Sequence, residues 1–398
     1  MISLLRKEKI YSKIFLAGLV NGIGDRFSQV AVLALLLNLT ESGIGVGIAL
    51  AIRVLPFLLF GPISAWLVNR FTKKWILVAA DFIRIFVSLS LLFVHSEEEI
   101  WVIYASTFLL AAGEAIYSPI RKSVIPEVVE QKNIVRINGL EQVMVGIILI
   151  LGAFIGGYFS YLFGPKASFV INSVSFFIAC MILSTLTFTE RGKEQHQEAK
   201  KINIITLFFS SFLLQIILLL EILVPLFSGI DNVLISVYAV KEYLLGDIGV
   251  GLFYSALGIG LMLSYTVARF IQSRFLYIGL LVLMLEGAFI MVQSQSQSPL
   301  FAFCLFCFAA FCGGIGSTCF DSIIMKRVPI HQQGVLFSLL ATISNTTIGL
   351  SMLATGFILD LVAPRMLGLF AGLGFFITGA SLLSIAVIHK KALTVHTH

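Results

Sequence analysis

The 398-residue chain is 58% hydrophobic and only 12% charged, with a mean hydropathy of +1.01. A soluble domain carries roughly twice that charge fraction, so the composition excludes an ordinary soluble enzyme or binding module. Apolar runs of about 20 residues recur from end to end, the length that crosses a hydrocarbon core of about 30 Å, and the sequence reads as an all-α, polytopic membrane protein. The opening residues, MISLLRKEKIYSK, are basic and lead directly into the first long run, a pattern expected of a first span and not of a cleaved leader.

Apolar windows set against charged and Gly/Pro breaks predict twelve spans: 14–38, 43–68, 75–94, 100–118, 139–162, 167–188, 214–240, 248–268, 276–292, 299–320, 336–358 and 367–388. Residues 202–213 (INIITLFFSSFL) read as an interfacial helix leading into the seventh. Span one contains NGIGDRFSQV, Asn21–Val30, with the acid–base neighbours Asp25 and Arg26. Asp25 lies about 12 residues into the span, roughly 18 Å at 1.5 Å per residue, and Arg53 falls at comparable depth in span two. An ionisable group in hydrocarbon costs at least about 2.5–3.5 kcal/mol, so such groups face a cavity or a partner. Neighbours on a helix point about 100° apart, so Asp25 and Arg26 cannot both face Arg53. Two roles stand open for Asp25: a proton-titrating carboxylate, or one member of a permanent ion pair.

Further along, Asp81 and Arg84 stand three residues apart on span three, the spacing of an intrahelical ion pair. Glu114 in span four and Glu141 near the start of span five suit either a gate with Arg121 or Arg84, or the cation-accepting side of a cavity. Thr189–Lys201, TERGKEQHQEAKK, is the longest polar stretch and divides the chain six plus six, into 1–188, a linker 189–203, and 204–398. Span seven carries Glu221 and Asp231, the latter either functional or capping a break at Gly229. Glu286 lies in span nine. All five cysteines fall in apolar runs; Cys304 and Cys307 share a helix face but have no His or second pair nearby, so they read as small buried hydrophobes and no metal site is expected. Most of the 35 phenylalanines read as lipid-facing or packing residues.

Sidedness follows from the basic residues. With the N-terminus cytoplasmic, the inner segments hold 21 of the 27 Lys and Arg residues, and the outer loops hold only Lys166, Lys241 and Arg365. The positive-inside rule therefore places both termini in the cytoplasm, and the net charge of +6 reflects topology rather than nucleic-acid binding.

The two halves are related. IGVG occurs at Ile44–Gly47 and again at Ile248–Gly251, 204 residues apart in a chain whose half-length is 199. GIGD ends at Asp25 and SGID ends at Asp231, 19 and 17 residues before their IGVG. RKSVIP after span four is answered by MKRVP after span ten. Parallel six-helix repeats about an axis along the membrane normal are an architecture of secondary transporters.

Three stretches carry a resemblance to the major facilitator superfamily. Gly61–Lys74, GPISAWLVNRFTKK, resembles that family's G-x-x-x-G-x-x-x-D-R-x-G-R-K loop between spans two and three, and the likeness runs on into AADFIR, Ala79–Arg84. Gly113–Leu140 resembles the F/Y-x-P-x-R…L-x-x-A-N-x-L stretch of the macrolide-efflux and peptide-antibiotic-exporter branch, and of the lysophospholipid transporters. Two positions depart from the pattern: Asn69 stands where the loop has Asp, and Gly152-Ala153-Phe154-Ile155-Gly156-Gly157 lacks the Pro of the antiporter motif G-P-x-x-G-G.

The resemblance implies a twelve-helix transporter working by alternating access in the bacterial inner membrane, monomeric, without cofactor or metal, and without an obligate protein partner. It implies substrate/proton antiport exporting an amphipathic drug, macrolide or peptide antibiotic. Its cavity would draw on Asp25, Arg26, Arg53, Glu114, Glu141, Glu221 and Asp231, and its cytoplasmic gate on Gly61, Asn69, Arg70, Lys73, Lys74, Asp81, Arg84 and Arg121. Span nine is peripheral by the same resemblance, which implies a helix-packing or linker role for Glu286. A lysophospholipid flippase is the alternative transporter. A non-transporting membrane sensor or embedded enzyme is the remaining one, and no GxxxxGK[ST], HExxH or GxSxG supports enzymatic chemistry.

Overall fold

A computed structural model describes residues 2–40, 43–187 and 211–389. The linker and most of the expected interfacial helix at 202–213 lie outside the described residues. In chain order the helices are α1 (Ile2–Lys7), α2 (Lys9–Thr40), α3 (Gly43–Arg70), α4 (Lys73–Ser90), α5 (Ile100–Val128), α6 (Ile134–Leu149), α7 (Gly156–Phe163) and α8 (Pro165–Ser184). They continue as α9 (Phe212–Val237), α10 (Gly246–Ala268), α11 (Phe275–Gln295), α12 (Pro299–Arg327), α13 (Ile330–Ile358) and α14 (Pro364–Ile388). Single π-helical turns join α6 to α7 (Ile150–Ile155) and extend α9 (Tyr238–Glu242). Only a structure that satisfies its own backbone survives in hydrocarbon, and no strand occurs among the described residues. Eleven segments among these residues are long and apolar enough to cross a membrane, and α2, at 32 residues, is the twelfth long helix.

Several helices outrun the apolar runs that announce them. Span four was expected to stop at 118, yet α5 continues through Arg121 and Lys122 to Val128, with Pro119 and Pro126 inside it. Likewise α12 runs to Arg327 and α13 begins at Ile330 rather than 336. Hydropathy ends where lipid would end, whereas backbone hydrogen bonding carries on into the polar zone. Span five, expected as one helix over 139–162, is α6, a π turn and α7. Starts are set by local chemistry: Pro165, Pro299 and Pro364 occupy the first turns of their helices, where a missing N–H costs nothing, and Ser298 caps α12 by accepting from the Phe301 amide.

The described helices form two compact units. One comprises α1–α5, the chain from Met144 through α7 and α8, and Ile330–Thr346 of α13; the other comprises Lys132–Val143 of α6, α9–α12, α13 from Thr347, and α14. These units follow the six-plus-six division except at α6 and α13, each of which is shared. The start of α13 belongs with the first unit because it packs on α3: Ser64 and Ser338 hydroxyls bond at 2.6 Å, and Gly61 lies directly against Thr342. The start of α6 belongs with the second, where Asn138 Nδ2 donates to Ser322 Oγ at 3.0 Å and Gly139 lies 2.9 Å, measured from the position of an added Cβ, from the Tyr265 ring.

In the first unit α2 and α4 pack on α8, and α5 packs on α3 and α4. Two apolar layers result. One gathers Ile14, Leu77, Tyr117, Ile120 and Leu183; the other gathers Val32, Leu36, Ile103, Leu110 and Phe169. Along α2, α4 and α5, Asp25, Asp81, Arg84 and Glu114 fall between these two layers. In the second unit α10 and α11 pack on α12, and α14 packs on α9 and α11.

Candidate functional site

Between the two apolar layers of the first unit, α2 contributes Asn21 and Asp25, α3 Arg53, α4 Asp81 and Arg84, and α5 Glu114. Arg84 is 1% exposed. Its Nη2 lies 3.2 Å from Glu114 Oε2 and 3.6 Å from Asp25 Oδ1, and its Nη1 lies 3.5 Å from Asp81 Oδ1. One guanidinium thus joins three carboxylates from three helices, and Phe176 covers it with its ring centroid 4.2 Å away. Glycine at 113 makes room for it, since a Cβ there would stand 2.7 Å from Arg84 Cδ. Asn21 closes the far side, donating from Nδ2 to Asp81 Oδ1 at 2.7 Å and accepting from Arg84 Nη1 at 3.4 Å. Arg53 Nη2 donates to Asp25 Oδ2 at 2.9 Å. Three carboxylates are directly paired with two guanidiniums, and Arg26 and Arg121 lie within electrostatic reach of Asp25 and Glu114 respectively.

Arg26 points elsewhere, as the 100° helical step requires. Its Nη1 donates to Gln29 Oε1 at 2.9 Å, and its Cβ sits 2.5 Å from where a Cβ on Gly152 would be. Gly156 does the same for Phe27, so the glycines of GAFIGG, straddling the π turn, let the helix that carries Asp25 approach closely. Beside the Asp25–Arg53 pair is a small pocket lined by Asp25, Ser28, Gln29 and Val32 of α2, Ala49 and Arg53 of α3, and Thr107 and Leu110 of α5.

The other expected residues divide between different places. Asp81 and Arg84, grouped in the sequence with the cytoplasmic loop motif, belong with Asp25 and Glu114 in the centre. Arg121 lies against Gly18, its Nη1 3.3 Å from the position of an added Cβ. Of the loop motif, Asn69 and Arg70 are exposed, Arg70 stacks over Trp66 at 4.7 Å, and Lys74 lies over Trp75 at 5.2 Å. Lys73 is buried and its Nζ donates to Glu127 Oε1 at 2.6 Å. Lys73–Glu127, between α4 and α5, is thus a buried charge pair at this end of the bundle, where position 69 supplies no carboxylate, and Lys7–Glu130 at 3.1 Å is an exposed one.

Glu141, Glu221 and Asp231 fall in the second unit. Glu141 is buried and Glu221 half-buried. Asp231 Oδ1 is enclosed with no hydrogen-bond partner among the described residues, and the residue lies within electrostatic reach of Glu286. The Glu286 carboxylate rests against Gly313 of α12, 2.8 Å from the position of an added Cβ. Among the described residues, no group of three or more His, Cys, Asp or Glu side chains is placed to hold a metal ion.

Sequence reasoning passed over Asn21, Ser28, Thr107 and Tyr117. Spacing gives a signal for two of them: Asn21 is one turn before Asp25, and Thr107 is two turns before Glu114, each on its partner's helix face.

A bundle of twelve long apolar helices with a buried ion-pair cluster between spans is the build of a membrane transport protein, and the fold and family are those of transporters rather than enzymes. The Major Facilitator Superfamily model matches residues 14–351, and the chain belongs to that family. The MFS-type transporter YfiS of Bacillus subtilis is 23% identical over 401 residues, covering 97% of this chain and 93% of that protein. Macrolide efflux protein A of Streptococcus pyogenes is 23% identical over 188 residues, covering 47% of this chain and 46% of that one. Among solved structures, the human organic anion transporter MFSD10 superposes with a TM-score of 0.78 at 12% identity, covering 94% of this chain and 99% of that one. The outward-conformation transporter FucP superposes at 0.72 and 9% identity, covering 93% and 98%.

Proposed function

We propose that this chain is a proton-coupled antiporter that exports an amphipathic, cationic small molecule of the drug or macrolide kind across a bacterial plasma membrane, with both termini cytoplasmic. The observation that carries the reading is the buried cluster in which Asp25, Asp81 and Glu114 share one guanidinium, that of Arg84. A carboxylate that must share its counter-charge in a low-dielectric interior is costly until a cation completes its neutralisation. A proton or a cationic substrate group does this, and the two exclude one another. Mutual exclusion at one site is what antiport needs, provided the two occupants differ in affinity for the inward- and outward-open states. Glu114, with about a third of its side chain exposed, is the proton entry, while Asp81 is fully enclosed. Asp25 bridges Arg53 and Arg84 and is the group whose pairing must change. The partial likeness to macrolide efflux protein A supports the substrate class.

The test uses everted membrane vesicles with an acid interior and a radiolabelled macrolide. Accumulation should rise with the imposed pH gradient, and the gradient-dependent part should vanish in Asp25→Asn and in Glu114→Gln. Gradient-driven accumulation left intact in Asp25→Asn would sink the assignment.

A further inference from the structure

The pocket beside Asp25 has walls that do not match a charged ligand. Buried hydroxyls on α12 and α13 donate back to the carbonyl one turn earlier: Thr318 to Gly314, Ser322 to Thr318, Ser338 to Gly334, Thr342 to Ser338 and Thr355 to Ser351, at 2.6–2.8 Å. Ser28 and Thr107, 2% and 8% exposed, do not; neither hydroxyl has a partner among the described residues, and both line the pocket. Gln29 adds its amide Nε2, its Oε1 being taken by Arg26. Arg53 adds the N–H groups that Asp25 leaves unused. Donors therefore converge from all three helices, and the carboxylate in the wall, Asp25, already accepts from Arg53.

Charge decides what they hold. Asp25 and Arg53 pair at the pocket wall, and Asp25 also faces Arg84 behind it. A carboxylate ligand would arrive as a further anion beside Asp25. An ammonium would meet the fixed positive charge of Arg53 in the same wall, and the hydroxyls, free to turn either way, would not offset that repulsion. An uncharged oxygen acceptor meets the donors without adding charge, and a buried donor left unmade is the more expensive alternative. Val32, Ala49 and Leu110 supply an apolar flank, and the interior has room for about one or two water-sized groups. We infer that this pocket is a subsite for an uncharged carbonyl group, the ester or amide oxygen of a larger amphipathic ligand, held by Ser28, Thr107, Gln29 and Arg53. This deepens the export reading and rests on it for the pocket's place on the substrate path: the cationic end of a substrate answers the acidic cluster, and its carbonyl answers this pocket.

Binding is measured by calorimetry on the purified protein in lipid nanodiscs, with no pH gradient. The probes share one eight-carbon chain: N,N-dimethyloctanamide, which accepts but cannot donate, octanoate and octylammonium. Dimethyloctanamide should bind at least tenfold more tightly than octanoate, while octylammonium reports on the acidic cluster. Ser28→Ala combined with the isosteric Thr107→Val should weaken it about tenfold with an unchanged melting temperature. Equal binding by the wild type and the double variant reduces the signal to lipid partition and overturns the inference; so does tighter binding of octanoate than of the amide, or a loss of octylammonium binding in the double variant as large as the loss of the amide. The two readings fail separately. Loss of gradient-driven macrolide transport alone removes proton coupling, and absence of amide-selective binding alone removes the subsite.

Discussion

Arg84 holds together carboxylates that would otherwise repel one another, and its burial makes it hard to replace. The guanidinium is suited to this because it is planar, permanently charged and weakly hydrated, and Phe176 stacks on it at 4.2 Å. Arg84→Met would leave Asp25, Asp81 and Glu114 facing each other with Arg53 as the remaining directly paired guanidinium. Removing one partner of a buried pair costs about 3–5 kcal/mol, so the variant should show a clearly lowered melting temperature at neutral pH. Lys73 and Glu127 offer the contrasting case of a buried pair outside the cluster. Lys73→Met alone should destabilise by a similar amount, about 3–5 kcal/mol, whereas Lys73→Met with Glu127→Leu should recover most of it, because a well-packed apolar pair replaces an ion pair at little cost. Melting temperatures of the wild type, single and double variants decide it: a double variant no more stable than the single one would show that Lys73 acts through packing and not charge.

At the scale of helices, close approach is what brings the charges within reach. Glycines at 152 and 156 admit Arg26 and Phe27 of α2 to the π turn of span five. Gly152→Leu should push α2 away and cost about 1–3 kcal/mol, the usual penalty for overpacking. Gly356→Leu, at a position with nothing within 4 Å, should be nearly neutral; comparing the two melting temperatures separates local crowding from a general intolerance of leucine. Element boundaries were legible in the sequence only where chemistry punctuates them. The prolines that open α8, α12 and α14 announced helix starts, but the charged residues Arg121 and Lys122 wrongly suggested a stop within α5. Charge reports the edge of lipid, and the helix continues past it. The π turn at Ile150–Ile155 was invisible because its residues, ILGAFI, are as apolar as their neighbours and differ only in hydrogen-bond register. Asp25 and Arg53 stood out because a charge in an apolar run is costly. Ser28 and Thr107 did not, since a lone hydroxyl costs little on a helix that can bond it backwards, and only the geometry shows that these two do not.

At the scale of the whole chain, the repeat found in the sequence recurs in the helices. The two IGVG copies open α3 and α10, and the paired acids Asp25 and Asp231 fall within α2 and α9. Chemistry has diverged where position has not. Asp25 is bonded to arginine, whereas Asp231 has Glu286 as its electrostatic neighbour and an enclosed oxygen without a partner. Matched positions within two related halves say where to look, and the surrounding residues say what each half does there. The proposed cytoplasmic placement of both termini rests on a choice made by the basic residues, 21 of 27 of which fall on one side of the twelve-span layout. Cysteine scanning tests that choice directly. Ser96 precedes the acidic turn Glu97–Glu99 at one end of α4, and the exposed Asn69 lies just before the other end. With the five native cysteines replaced, a membrane-impermeant maleimide applied to intact cells should label Ser96→Cys and leave Asn69→Cys unlabelled until the cells are opened. The reverse pattern would invert the topology, and with it the sense of export, because the acid side of the gradient would then meet the opposite end of the bundle.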